Sequence, residues 1–152
     1  MSMRTKITAE PHHLLVQVSG EYSLDQAKLS FLDLVDAIKE HKLGNVLYDG
    51  RELTGEPRLL ERFHYGHFVA ESIQDLKDRG WTGPELRFAY VLKQPVLDEQ
   101  RLGEATALSR GMNVKAFENI NEALVWLLPD IPPLSKRGSD TSRKVLRLKP
   151  EQ

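Results

Sequence analysis

Hydrophobic and polar positions change period several times along this chain. Leu14-Leu15-Val16-Gln17-Val18, ended by Gly20, predicts a strand, and Ile7 to Ala9 predicts a shorter one before it. Pro11, His12 and His13 mark a turn between them, so the two pair as a hairpin. The spacing then lengthens. Leu24, Ala27, Phe31, Leu34, Val35 and Ile38 recur at helical intervals. Ser23 and Gln26 form a capping box at the start of that helix, and Lys42 with Gly44 ends it.

Val46-Leu47-Tyr48-Asp49 predicts a third strand, with a loop over 50–56. Pro57 suits the first turn of a second helix, because its missing N–H would have no partner there. Leu59, Phe63, Gly66, Ala70 and Ile73 share its inner face, with Val69 and Leu76 at the border and Gly80 closing it. Tyr65 and Phe68 then fall on the solvent side at about 100° per residue. Arg87 to Leu92 is a strand, and Asp98 caps a third helix running to Arg110, stopped by Gly111. Val114 to Phe117 is the last strand. Asn119 and Glu122 open a final helix through Trp126 and Leu128. The order β-β-α-β-α-β-α-β-α predicts a single α/β domain. Its sheet is mixed but mainly parallel, because strands alternating with helices need crossover connections.

Composition narrows the class. The chain has 152 residues, 40% hydrophobic and 28% charged, which suits one globular domain. Its lack of cysteine excludes disulfides, thiolate metal sites and cysteine nucleophiles. No apolar run reaches the roughly 20 residues a membrane helix needs, and the N-terminus leads into no signal-peptide core. A cytoplasmic location without membrane contact is the expectation. Net charge is −1 but unevenly spread: six basic residues between 135 and 152 face only Asp140 and Glu151. Pro129, Pro132 and Pro133 mark the boundary. The chain therefore divides into a domain over 1–128 and a proline-led basic tail over 129–152, where Leu146 and Leu148 alternate as in a short strand.

Three stretches carry a family resemblance: Val46-Leu47-Tyr48-Asp49-Gly50-Arg51 through Thr54-Gly55, Arg62-Phe63, and Arg110 to Phe117 with Glu122 to Leu127. On them the chain resembles the STAS domains (sulfate transporter and anti-sigma-factor antagonist), in particular their SpoIIAA-like bacterial branch. The resemblance implies a STAS-like fold and binding or regulation in place of catalysis. Family members that switch partners take a phosphate on Ser or Thr at the helix start after the Asp-bearing strand. Here that stretch reads Glu56-Pro57-Arg58-Leu59-Leu60-Glu61, and Thr54 is the nearest hydroxyl.

Candidate chemistry follows from position. Asp49 ends a central parallel strand, the edge where open α/β sheets bind ligands, and Arg51, Thr54 and Arg58 could join it around an anion. The competing reading has Asp49 fixing the turn by accepting loop amides. Tyr65 and Phe68 are candidate interface residues, for a homodimer or another protein. Their alternative is cover by the 50–57 loop or the tail. A metal site at His64 and His67, with Glu61 and Glu71, lacks the spacing of a zinc-binding helix, and no nucleophile elbow or nucleotide fingerprint is present. No cofactor is expected. The expected function is a non-catalytic regulatory or scaffolding domain that binds a protein partner or a small anionic or lipidic ligand. The alternatives are a hydrolytic or metal-dependent enzyme using Asp49 and His64 or His67, and nucleic-acid binding through the basic tail.

Overall fold

The computed structural model describes residues 2–98 and 100–129. Beyond Pro129 the tail, with its expected strand at Leu146 and Leu148, lies outside the described residues. The elements are β1 (Arg4–Ala9), β2 (Leu14–Glu21), α1 (Leu24–His41), β3 (Asn45–Thr54), α2 (Leu59–Asp78), β4 (Arg87–Leu92), α3 (Leu102–Ser109), β5 (Val114–Phe117) and α4 (Ile120–Leu127). They build one five-stranded sheet in the order β1-β2-β3-β4-β5. β1 and β2 pair antiparallel and every later pair is parallel, as the α/β alternation requires.

The strands place alternate residues on opposite faces. One face carries Val16, Val46, Tyr48, Phe88 and Tyr90 beneath α1, α2 and α3, which contribute Phe31, Leu34, Ile38, Val69, Ile73 and Ala107. Phe31 and Phe88 are fully buried with ring centroids 5.9 Å apart. Burying each stabilises the fold by roughly 2–3 kcal/mol. The other face carries Leu47, Ala89, Val91 and Phe117, covered by Ala123 and Leu127 of α4. Arg87 ties that helix down by stacking 4.3 Å from the Trp126 ring and donating to the Trp126 carbonyl at 2.7 Å.

Local signals end the elements as expected in several places. The Ser23 hydroxyl accepts from the Gln26 amide, and the Asn119 side chain accepts from the Glu122 amide at 3.0 Å. Gly111 stops α3 with φ +91°. Elsewhere tertiary structure moves the boundaries. β3 continues through Thr54 because β2 remains beside it, so most of the expected 50–56 loop is strand. α2 begins at Leu59, two residues after Pro57. α3 begins at Leu102 and ends at Ser109, while the Asp98 carboxylate still accepts from the Leu102 amide at 3.2 Å.

Two close fits matter below. Gly66 of α2 faces α3 so tightly that a Cβ there would lie 2.6 Å from the Gly103 carbonyl oxygen. At the sheet margin, the start of α3 caps β5: its N-cap residue Arg101 donates to the Ala116 carbonyl at 2.7 Å, and Glu104 in its first turn accepts from the Ala116 amide at 2.9 Å.

Candidate functional site

Asp49 stands near the end of β3, where the ladder slips. Gln17 pairs with Asp49 but Ser19 pairs with Glu52, so β3 holds one residue more than β2 across this step. Such a bulge leaves an amide without its ladder partner. The Asp49 carboxylate supplies one, accepting from the Arg51 amide at 3.2 Å and from the Arg51 guanidinium through two contacts of 2.9 Å. Burial alone would raise the Asp49 pKa; the Arg51 hydrogen bonds and charge together outweigh it and hold the carboxyl below its usual range. Thr54 is exposed, and its hydroxyl donates to the Gly20 carbonyl at 3.4 Å. Arg58 is the exposed N-cap of α2, its amide donating to Glu61 at 2.8 Å. Asp49 and Arg51 are thus brought together; no bond joins Thr54 or Arg58 to them among the described residues.

The expectation that Tyr65 and Phe68 face solvent is corrected. Both pack against the main core. The reason is that α2 has neighbours on two sides as well as the sheet beneath it, so its covered arc exceeds one stripe. Tyr65 turns toward Tyr90, and Phe68 is capped by Lys28 of α1, whose Nζ lies 5.4 Å from the ring. The expected inner residues Leu59 and Phe63 instead lie outside. Leu59 is 67% exposed, Leu60 68% and Phe63 41%, making an apolar strip on the first turns of α2. Beyond it, His64 is exposed and His67 Nε2 lies 2.9 Å from Glu71. No group of three potential metal-ligating side chains occurs among the described residues.

The bulge has a second effect: it restores Leu53 to the helical side of the sheet, where it lines a pocket of about 100 Å³ with Tyr48, Tyr90 and Leu92. Tyr22 and Tyr65 complete an aromatic wall, so all four tyrosines of the chain meet here. Tyr48 and Tyr90 sit at paired positions of β3 and β4 and stack with centroids 4.5 Å apart. The Tyr65 and Tyr90 hydroxyls share a hydrogen bond of 2.8 Å. Burial raises the pKa of every one of the four, so all remain neutral phenols at pH 7.

Arginines frame this pocket without lending it free charge. Arg62 of α2 donates to the carbonyls of Val96 and Pro95 at 2.5 and 2.7 Å and lies 3.5 Å from Asp98. Arg101 is held by Ala116 and lies 3.6 Å from Glu104. Sequence reasoning missed the tyrosine cluster. Its one legible sign was the matching place of tyrosine in Val46-Leu47-Tyr48-Asp49 and Phe88-Ala89-Tyr90-Val91, once those strands are aligned as neighbours.

The architecture is shared with a solved regulator. The crystal structure of an anti-sigma factor antagonist from Mycobacterium paratuberculosis matches with a TM-score of 0.52 and 13% identity, over 83% of this chain and 94% of that one. The mixed five-stranded sheet with four helices is therefore the STAS-like fold that the three sequence stretches implied. No protein-family model matches the sequence, and it has no match among curated proteins. Among the described residues no helix is long and apolar enough to cross a membrane.

Proposed function

We propose that this chain is a cytoplasmic, non-catalytic regulatory or scaffolding domain that acts by binding a protein, either another chain or a second copy of itself. The observation that carries the reading is the strip of Leu59, Leu60 and Phe63, three large apolar side chains exposed together at the start of α2. Lone exposed leucines are ordinary, whereas a contiguous group with an aromatic member suits the centre of an interface. The anti-sigma factor antagonist fold supports the same class of work. Asp49 and Arg51 already satisfy each other, which supports the bulge-fixing role over an anion site. Thr54, exposed and four residues ahead of Arg58, is the residue we propose for phosphate control of the contact.

The test pairs Leu60→Asp with Phe63→Ser and uses Val125→Asp, on the exposed side of α4, as control. Sedimentation equilibrium reads self-association, and crosslinked capture from the native cells reads other partners. The double variant should keep its circular dichroism and lose the complex by at least about tenfold, since interface centres concentrate binding energy. A complex that survives the double variant but not the α4 control would refute the assignment.

A further inference from the structure

A separate feature, independent of the α2 strip, is the tyrosine-walled pocket. We propose that it is a binding site for a small uncharged molecule with one ring-sized apolar body and one hydrogen-bond acceptor such as a carbonyl. Size comes first. Its volume of about 100 Å³ is of the order that holds a single six-membered ring and is too small for an acyl chain of any length. Shape and polarity agree, because Tyr48, Tyr90, Leu53, Leu92 and Val69 offer ring faces and aliphatic carbon.

Charge excludes an anion. Arg62 and Arg101, the two cationic side chains lining the pocket, are spent on backbone carbonyls and on Asp98 and Glu104. A buried carboxylate would therefore lack a counter-charge, at a cost in desolvation. What remains available is a neutral donor. The Tyr90, Tyr65 and Tyr48 hydroxyls follow one another toward Ser30, so each O–H has a neighbouring oxygen to donate to. The Tyr22 hydroxyl, by contrast, makes no hydrogen bond among the described residues, and burial keeps it protonated. An acceptor atom on the ligand would complete it. Tyr22 also donates its amide to the Thr54 carbonyl, so the β2–α1 connection that carries this ring is anchored to the end of β3.

The experiment titrates isotopically labelled full-length protein with acetophenone, toluene and benzoate, following amide and tyrosine-ring NMR shifts. Acetophenone should bind in about the millimolar range expected for so few atoms. It should bind roughly three- to tenfold tighter than toluene, the difference one neutral hydrogen bond supplies. Benzoate should be weaker than either. In Tyr22→Phe, acetophenone should fall to the toluene level. In Leu92→Trp, which fills the pocket, all three should lose binding while the amide spectrum away from the pocket stays unchanged. The proposal is overturned if no probe shifts pocket resonances, if benzoate binds as well as acetophenone, or if Tyr22→Phe leaves the preference for acetophenone over toluene intact.

Discussion

Arg62 is the most informative single position for testing how the pocket wall is held. Its side chain is only 10% exposed and reaches from α2 to the turn between β4 and α3, bonding the Val96 and Pro95 carbonyls. Arg62→Met keeps the aliphatic stem and removes the fork. Two hydrogen bonds from a charged group are worth up to about 1.5–3 kcal/mol each. The two losses are unequal, however. Pro95 is exposed, so its carbonyl regains water, whereas Val96 is buried and its carbonyl does not. Release of the desolvated guanidinium offsets a further part. A net loss of about 2–3 kcal/mol follows. Urea unfolding followed by circular dichroism should show the midpoint falling by about 1–1.5 M at an unchanged slope near 2 kcal/mol/M. Arg62→Lys, which can serve one carbonyl but cannot fork, should fall between the two. A midpoint shift for Arg62→Met below about 0.3 M would refute the argument, as would Lys performing as well as Arg, because the planar fork is its premise.

Three other outcomes are expected. Gly66→Ala should destabilise by roughly 1–3 kcal/mol, because its methyl meets the Gly103 carbonyl and the Thr106 Cβ, neither of them the far end of a flexible side chain; an unchanged melting temperature would remove that packing claim. Arg51→Met should cost about 0.5–1 kcal/mol at pH 7, its side chain being 39% exposed. Because the folded Asp49 pKa is depressed, that contribution is present above the unfolded value of about 3.9 and is lost as pH falls through the folded value. Unfolding curves of the two proteins should therefore converge in acid, and a gap that stays constant with pH would contradict the pairing. For the tyrosines the sign is reversed: raised folded pKa values give stability that is complete below about pH 10 and declines above it. Ultraviolet titration should show tyrosinate appearing together with loss of structure, and ionisation of all four in a folded chain near pH 10 would refute their burial.

Signals confined to a few neighbouring residues were legible beforehand. Ser23 and Asn119 opened their helices as N-caps, and the β/α alternation was enough for a mixed, mainly parallel sheet. The return half of the expected Ser23–Gln26 box is missing, because the Gln26 side chain accepts from the Met3 amide instead. Signals that depend on neighbours distant in sequence were not. Whether Phe68 is outside depends on Lys28 and α1, and whether Leu59 is inside depends on where α2 leaves the sheet. The bulge opposite Gln17 and Ser19 is a property of two strands jointly, so Asp49 could be placed at the right edge while its task there stayed open between two readings. The pocket is the extreme case, since its four tyrosines come from four elements or connections spread between residues 22 and 90.

The capping of β5 by Arg101 and Glu104 governs how copies of this protein could assemble through their sheets. An endless fibre of stacked domains needs two complementary open margins, so that β1 of each copy can join β5 of the next. With the amide and carbonyl of Ala116 already occupied, that head-to-tail arrangement is obstructed at every β5. Pairing between two β1 strands remains geometrically open, and it is self-limiting, because a twofold union consumes both margins and stops at a pair. The side chains of Arg101 and Glu104 thus act against polymerisation while leaving room for dimers.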